Sequence, residues 1–191
     1  MNIEREKRID QILLLLRQCD YLTREQLQKM MNLGQTRNAQ RVLGDMAEYI
    51  SYFTEERKKV YYLNSNGRDR VQAEKVRKKT AMVNHYLMRN DLFIAMGRPS
   101  TWRNEVKISF NKISIIVDAT FSSNKIHHFV EVDYKQSMNQ NISKIKRYKQ
   151  LAAIDPKFAL VWVTTTPYRK KKIKSLCEGL SGKVFLWDDI K

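Results

Sequence analysis

Two strand patterns in the second half of the chain constrain its fold more than any other feature. Ile113-Ser114-Ile115-Ile116-Val117-Asp118 is followed, after a turn-like Ser122-Ser123-Asn124-Lys125, by Phe129-Val130-Glu131-Val132-Asp133-Tyr134-Lys135. Side chains alternate along a β-strand, so Glu131, Asp133 and Lys135 are expected on one face and Val130, Val132 and Tyr134 on the other. Carboxylates set into apolar strands are costly to desolvate unless a cation or a bound partner compensates them. In a chain with 36 Lys and Arg against 20 Asp and Glu, the partner this points to is a divalent metal ion with a phosphodiester behind it.

The positive charge is not confined to a tail. Residues 1–79 carry 17 basic and 11 acidic side chains, and residues 80–191 carry 19 and 9. A field of one sign over both halves attracts polyanions and makes their binding salt-sensitive, so double-stranded DNA is the expected partner. An anionic membrane surface fits less well, because the basic residues do not gather in one amphipathic stripe. The apolar run Ile12-Leu13-Leu14-Leu15-Leu16 is too short to cross a bilayer and is flanked by charge. Cys19 and Cys177 belong to no CxxC or Cys/His ligand pattern, and no secretory signal is recognised, so a cytoplasmic location is expected.

The 191 residues suffice for two small domains. Ile9, Ile12, Leu13 and Leu16 keep the i, i+3, i+4, i+7 spacing of a first helix. Thr23 and Gln26 form a capping box for a second, with Leu27, Met30 and Met31 inward. Thr36 is placed to cap a third helix with Ala39, Val42, Leu43 and Met46 inward, leaving Arg37, Asn38, Gln40 and Arg41 outward. Arg, Asn and Gln are the side chains that read guanine and adenine edges in a major groove. Two β-type runs follow, Ile50–Phe53 and Val60–Leu63, joined by a charged loop that includes Arg57, Lys58 and Lys59. Three helices and then a hairpin is the order of a winged helix-turn-helix, with the hairpin as the wing on phosphates. The same architecture also serves protein–protein contacts. The expected division is a winged helix-turn-helix over 1–66, a basic linker helix over 67–80 and a second domain over 81–191.

That second domain reads as a helix over Met82–Met96, three strands near Arg103–Phe110, Ile113–Phe121 and Ile126–Tyr134, and a helix from Ser137 to Ala153. A buried strand, Phe158–Val163, comes next, then a helix from Pro167 to Leu180 and a last strand, Val184–Trp187. The helix that Pro167 opens begins with Arg169, Lys170, Lys171 and Lys172, a phosphate-binding patch or a solvated face. His127 and His128 are adjacent, so they point to opposite faces of a strand and cannot chelate one ion together.

The order αβββαβ resembles the restriction-endonuclease-like PD-(D/E)xK superfamily. Behind a winged helix, the segments His85–Leu92, Ile116-Val117-Asp118-Ala119 and Phe129-Val130-Glu131-Val132-Asp133 resemble the replication-relaxation family of plasmids and bacterial mobile elements. The resemblance implies an α+β, α/β-type chain with a nuclease-like second domain and a role in replication or transfer. It matches Asp118 to the superfamily's Asp and Glu131 to its (D/E); Asp133, on the same strand face as Glu131, is added as an expected third metal ligand. Mg²⁺ or Mn²⁺ would be the cofactor if that core is active, and none otherwise. Asp133 stands where active members have Lys, so Lys135, or Lys144 or Lys146 on the next helix, would have to supply the cation. Glu105 is a further candidate ligand. The alternatives are an active metal-dependent endonuclease or nickase, with Asp118, Glu131 and Lys135 catalytic, and a transcriptional regulator with a vestigial nuclease domain. Replication or transfer proteins and a second copy of the chain complete the expected partners.

Overall fold

Ile9, Ile12, Leu13 and Leu16 are buried along one side of helix α1 (Ile3–Cys19), as their spacing demands. The computed structural model of the protein describes residues 3–111 and 113–191. The chain divides into two units, Met1–Asn90 and Asp91–Lys191. It is a mixed α+β protein with two sheets.

In the first unit, strand β1 (Leu22–Thr23) leads directly into α2 (Arg24–Met31). The capping box is present: Gln26 N–H donates to Thr23 Oγ1 (3.1 Å) and Thr23 N–H to Gln26 Oε1 (3.0 Å). Asn32, left-handed at φ 49°, closes the helix. Helix α3 (Thr36–Gly44) buries Ala39, Val42 and Leu43. Its N-cap is Gln35 rather than Thr36, and no side chain caps it. Asn38 braces the preceding turn instead, donating to the Leu33 carbonyl at 2.8 Å.

Strands β2 (Ile50–Glu55) and β3 (Lys58–Leu63) pair antiparallel with Glu55 opposite Lys58. The charged connection is therefore a two-residue turn, Glu56-Arg57, both at positive φ (45° and 66°). Such turns match the twist of the flanking strands, and they place Lys58 and Lys59 in β3 rather than in a loop. Strand β1 joins the far side of β3, Leu22 against Tyr61, to make three strands. Two residues are too few to announce a strand by alternation.

The expected linker helix over 67–80 differs most. Helix α4 spans Ser65–Val71 and stops at Gln72, left-handed at φ 52°, and residues 73–80 have no regular structure. Its cations find partners within the first unit. Arg70 pairs with Glu6 (2.8 Å) and Asp10 (2.7 Å), and Tyr21 donates its hydroxyl to the Lys78 carbonyl at 2.6 Å. The boundary between units falls later, at Asn90, within α5 (Val83–Ala95). Gly67 is required in α4, because a Cβ there would lie 2.0 Å from the Tyr49 carbonyl oxygen.

The second unit carries a five-stranded sheet in the order β4-β5-β6-β7-β8 (Arg103–Phe110, Ile113–Ser123, Ile126–Asp133, Phe158–Thr164, Gly182–Leu186). The first three strands are antiparallel, and β6, β7 and β8 are parallel. Parallel neighbours need crossovers, supplied by α6 (Met138–Ala152) and α7 (Pro167–Leu176). Ser137 and Gln140 form a second capping box at α6, and Thr166 caps α7 with Pro167 in its first turn. Ile115, Val117, Phe129, Ile145, Tyr148, Leu160, Trp162 and Ile173 make one core between sheet and helices. Strand β6 ends at Asp133, so Tyr134 and Lys135 lie in a bend beyond it.

The first unit is held by a buried ion pair. Asp20, 4% exposed, receives Arg89 at 2.8 Å and Arg77 at 2.6 Å, and the Arg89 side chain is 1% exposed. Removing the carboxylate would strand a buried guanidinium, which costs about 3–5 kcal/mol. Asp20→Asn is expected to destabilise the protein by about 3 kcal/mol or more, read as a lower urea midpoint by circular dichroism.

Candidate functional site

The first unit presents a basic face built on α3 and the β2–β3 hairpin. Arg37, Asn38, Gln40 and Arg41 are exposed, as is Thr36. They are not equivalent. Arg37 has no hydrogen-bond or ion-pair partner among the described residues. Asn38 is held to the turn, and its Oδ1 also accepts from Arg41 Nη2 at 2.9 Å. Arg41 lies 3.8 Å from Asp45, too exposed a pair to restrain it strongly. A groove of about 720 Å³ runs between α3 and the hairpin. Gln40 lines one wall and Arg57, Lys58 and Lys59 the other, with Arg24 and Tyr52 beside them. Lys59 Nζ sits 4.0 Å over the Tyr52 ring. Arg24 and Tyr52 have no place in a reading by residue type alone, because the groove exists only once β1 and α2 are set against the hairpin.

The second unit gathers acidic groups at the end of β6. Glu131, 1% exposed, accepts short hydrogen bonds from Lys144 Nζ and the Tyr148 hydroxyl, both on α6. Lys144 and Tyr148 are four residues apart and so share one helix face. Burial, then the negative charge of Asp118, pushes the Glu131 carboxyl up to about 8, against the opposing pull of Lys144. Burial and the charge of Glu131 likewise raise the Tyr148 phenol. Asp118, on β5, accepts the Val132 N–H at 2.7 Å. Glu105 is exposed on β4 at φ 54°, between the register pairs Asn104–Ala119 and Val106–Val117 that flank Asp118.

Asp133 is committed elsewhere. It accepts from Asn141 (2.7 Å), Thr164 (2.6 Å) and both Nε (2.7 Å) and Nη2 (2.5 Å) of Arg169. Burial alone would raise its pKa, but these bonds outweigh it and hold the carboxyl below the usual range. Two expectations change. Asp133 does not join Asp118 and Glu131 as a metal ligand, and Arg169 is turned to Asp133 and to the Gln136 carbonyl rather than to solvent. Lys135 does not reach Glu131 either: the strand ends two residues before it, and its ammonium lies 5.1 Å over the Tyr134 ring. Lys146 is exposed, and Lys144 is the lysine that meets Glu131. His127 and His128 diverge as adjacent strand residues must, one toward Ser122 and the other stacked on Phe121.

Among the described residues no three His, Cys, Asp or Glu side chains are placed together to hold a metal ion. Asp118 and Glu131 are two carboxylates, the number a hydrated Mg²⁺ or Mn²⁺ can take from a protein, but both Glu131 oxygens are held by Lys144 and Tyr148, which an ion would have to displace. No helix among the described residues is long and apolar enough to cross a membrane.

Helices, two sheets and these two sites define a mixed α+β protein with a basic first unit. The chain belongs to the replication-relaxation family, which matches residues 13–159. No curated protein matches it. Among solved structures, protein VC1899 from Vibrio cholerae is similar at a TM-score of 0.38 and 14% identity, over 99% of this chain and 49% of that one. The chain thus spans about half the length of that protein.

The Glu131 carboxyl titrates near 8 in the folded protein against an ordinary value of 4.5. A raised carboxyl binds its proton more tightly folded than unfolded, so its contribution is complete below pH 4.5 and is lost as pH rises through 8. All three tryptophans, Trp102, Trp162 and Trp187, lie in the second unit and report its unfolding. In tryptophan fluorescence, wild-type stability is expected to fall across that window by up to about 1.4 kcal/mol per pH unit relative to Glu131→Gln.

Proposed function

We propose that the protein binds double-stranded DNA of a plasmid or integrated mobile element and acts in its replication or transfer. In this reading the first unit is a winged helix-turn-helix. Helix α3 enters the major groove, and the β2–β3 hairpin is the wing that lies along the phosphates. The observation that carries it is the joining of two chemistries in one groove. Gln40 of α3 supplies a base-reading group in its lining and Arg57, Lys58 and Lys59 supply phosphate contacts there, while Arg37 stands exposed on α3 outside the groove and Arg41 lines a separate hollow with Arg5, Arg8 and Asp45. Family membership supports a replication role, and a net charge of +16 supports a polyanionic partner. Asn38 and Thr36 are assigned to the turn and helix start rather than to base reading.

A second reading, a metal-dependent DNA endonuclease or nickase, is favoured by the meeting of Asp118, Glu131 and Lys144 in a restriction-endonuclease-like order of elements. Asp118 and Glu131 would hold Mg²⁺ or Mn²⁺, which when bound supplies Lewis acidity at a phosphate. Lys144 takes the place of the lysine missing at Asp133, and the Asp133–Arg169 pair fixes the end of β6 beside it. Calorimetric binding of Mn²⁺ by wild type, lost in Asp118→Ala together with nicking of supercoiled DNA, supports this reading. No binding at millimolar metal leaves the DNA-binding reading alone.

Arg37→Ala is expected to weaken binding to a specific duplex by about 1–3 kcal/mol, roughly 5- to 150-fold, and to relax base preference. Arg57→Ala/Lys58→Ala/Lys59→Ala should instead weaken all duplexes alike and reduce the slope of log affinity against log salt by about 3. Anisotropy titrations at several salt concentrations read both effects. Unchanged affinity in both variants removes the first unit as the reader.

A further inference from the structure

The second unit carries a groove that neither the acidic site nor the first unit accounts for. It has a volume of about 850 Å³ and lies between α7 and β8. Lys171 and Lys174 rise from one side and Lys183 from the other, over a floor that includes Leu160, Leu180 and Val184. All three lysines are exposed, and none makes an ion pair among the described residues. Lys170, at the rim, is held by Asp189 at 3.1 Å, and Glu178 is the one acidic side chain in the lining. Gly179 and Gly182, both at positive φ, line the far end, and a Cβ on Gly182 would lie 2.0 Å from the carbonyl oxygen of Leu160, its register partner on β7.

We infer that this groove holds a segment of single-stranded nucleic acid, with its phosphates on Lys171, Lys174 and Lys183 and a base against the apolar floor. The inference deepens the nucleic-acid reading above and rests on it. The chemistry selects a single strand over a duplex. A duplex offers phosphates outside and keeps its base faces stacked within, so it has nothing to lay on Leu160, Leu180 and Val184. An unpaired strand offers both at once, which is why single-strand sites combine a cationic track with surfaces for bases. The volume falls in the range of about 300–1,000 Å³ typical of small-ligand sites and accommodates a nucleotide. Lys171 and Lys174 are helix neighbours about 5–6 Å apart at Cβ, near enough to grip consecutive phosphates. None of the three ammonium groups meets a carboxylate among the described residues, although Lys183 Nζ lies 4.8 Å over the Phe185 ring, so they repel one another across one space and phosphate oxygens relieve that repulsion. Arg169, at the start of the same helix, is tied to Asp133 and fixes the wall from which the two lysines project.

The test uses the full chain, a fluorescein-labelled oligo(dT) and a labelled duplex of equal length, titrated by anisotropy over a range of salt. Lys171→Glu/Lys174→Glu/Lys183→Glu is compared with Lys107→Glu/Lys125→Glu/Lys157→Glu, which changes net charge equally at exposed positions elsewhere in the unit. The groove variant is expected to bind oligo(dT) at least tenfold more weakly than the control variant. Its salt slope should fall by about 2, as expected for three single-strand phosphate contacts. Its duplex affinity should match that of the control variant. The corresponding three-fold Gln variant, which removes charge without reversing it, should reproduce the loss in weaker form. Equal loss in groove and control variants overturns the inference, and so does a wild-type chain that ignores oligo(dT). Either failure leaves duplex binding through Arg37 standing. Absence of duplex binding in wild type, with oligo(dT) still bound through the groove, would instead overturn the reading of the first unit.

Discussion

Two carboxylates, Glu131 and Asp133, are buried in the central strand of the five-stranded sheet, and the second unit is organised around compensating them. Strand alternation puts both on one face, so whatever packs there must bring positive charge or hydrogen-bond donors. Helix α6 brings Lys144 and Tyr148 to Glu131 and Asn141 to Asp133. Strand β7 adds Thr164, and α7 adds Arg169. Both crossover helices are thus placed by polar pairing as well as by their share of the apolar core. Breaking a buried pair costs about 3–5 kcal/mol, against about 0–1 kcal/mol for an exposed one. These few bonds therefore outweigh the many ion pairs on the surface.

The two acids differ in what they leave available. Asp133 has its oxygens filled by four donors and stays charged, which makes it a fixed joint between three elements. Glu131 is compensated by one ammonium and one hydroxyl while facing the charge of Asp118, and it is the group held near its titration point. The first unit works differently. Its buried carboxylate, Asp20, is held by Arg89 and Arg77, and among its exposed cations Arg37 makes no hydrogen bond or ion pair among the described residues.

Much of this was legible in the sequence wherever a period or a cap was complete. The capping boxes at Thr23–Gln26 and Ser137–Gln140, the apolar faces of α1 and α3, and the strands around Val117 and Val161 lie where residue spacing puts them. What failed had local signals that mislead. The Arg- and Lys-rich stretch after Gly67 looks helical in composition, but Gln72 takes a left-handed conformation and the cations are claimed by Glu6, Asp10 and Asp20 far off in sequence. Lys135 shares the parity of Glu131 only if the strand continues, and it stops at Asp133. The partnership of Asp133 with Arg169 crosses 36 residues, so no short motif announces it. Lys144 was one of three candidate lysines, beside Lys135 and Lys146, and helix position singles it out, since it precedes Tyr148 by one turn on the face of α6 that meets β6.

In the proposed function the first unit reads duplex DNA through α3 and the hairpin. Hydrogen–deuterium exchange of the full chain with and without a saturating duplex tests it most directly, because it locates the contact without altering a side chain. Exchange is expected to slow in residues 36–44 and 50–63 when DNA binds. Protection confined to the second unit, with those segments unchanged, would contradict the account.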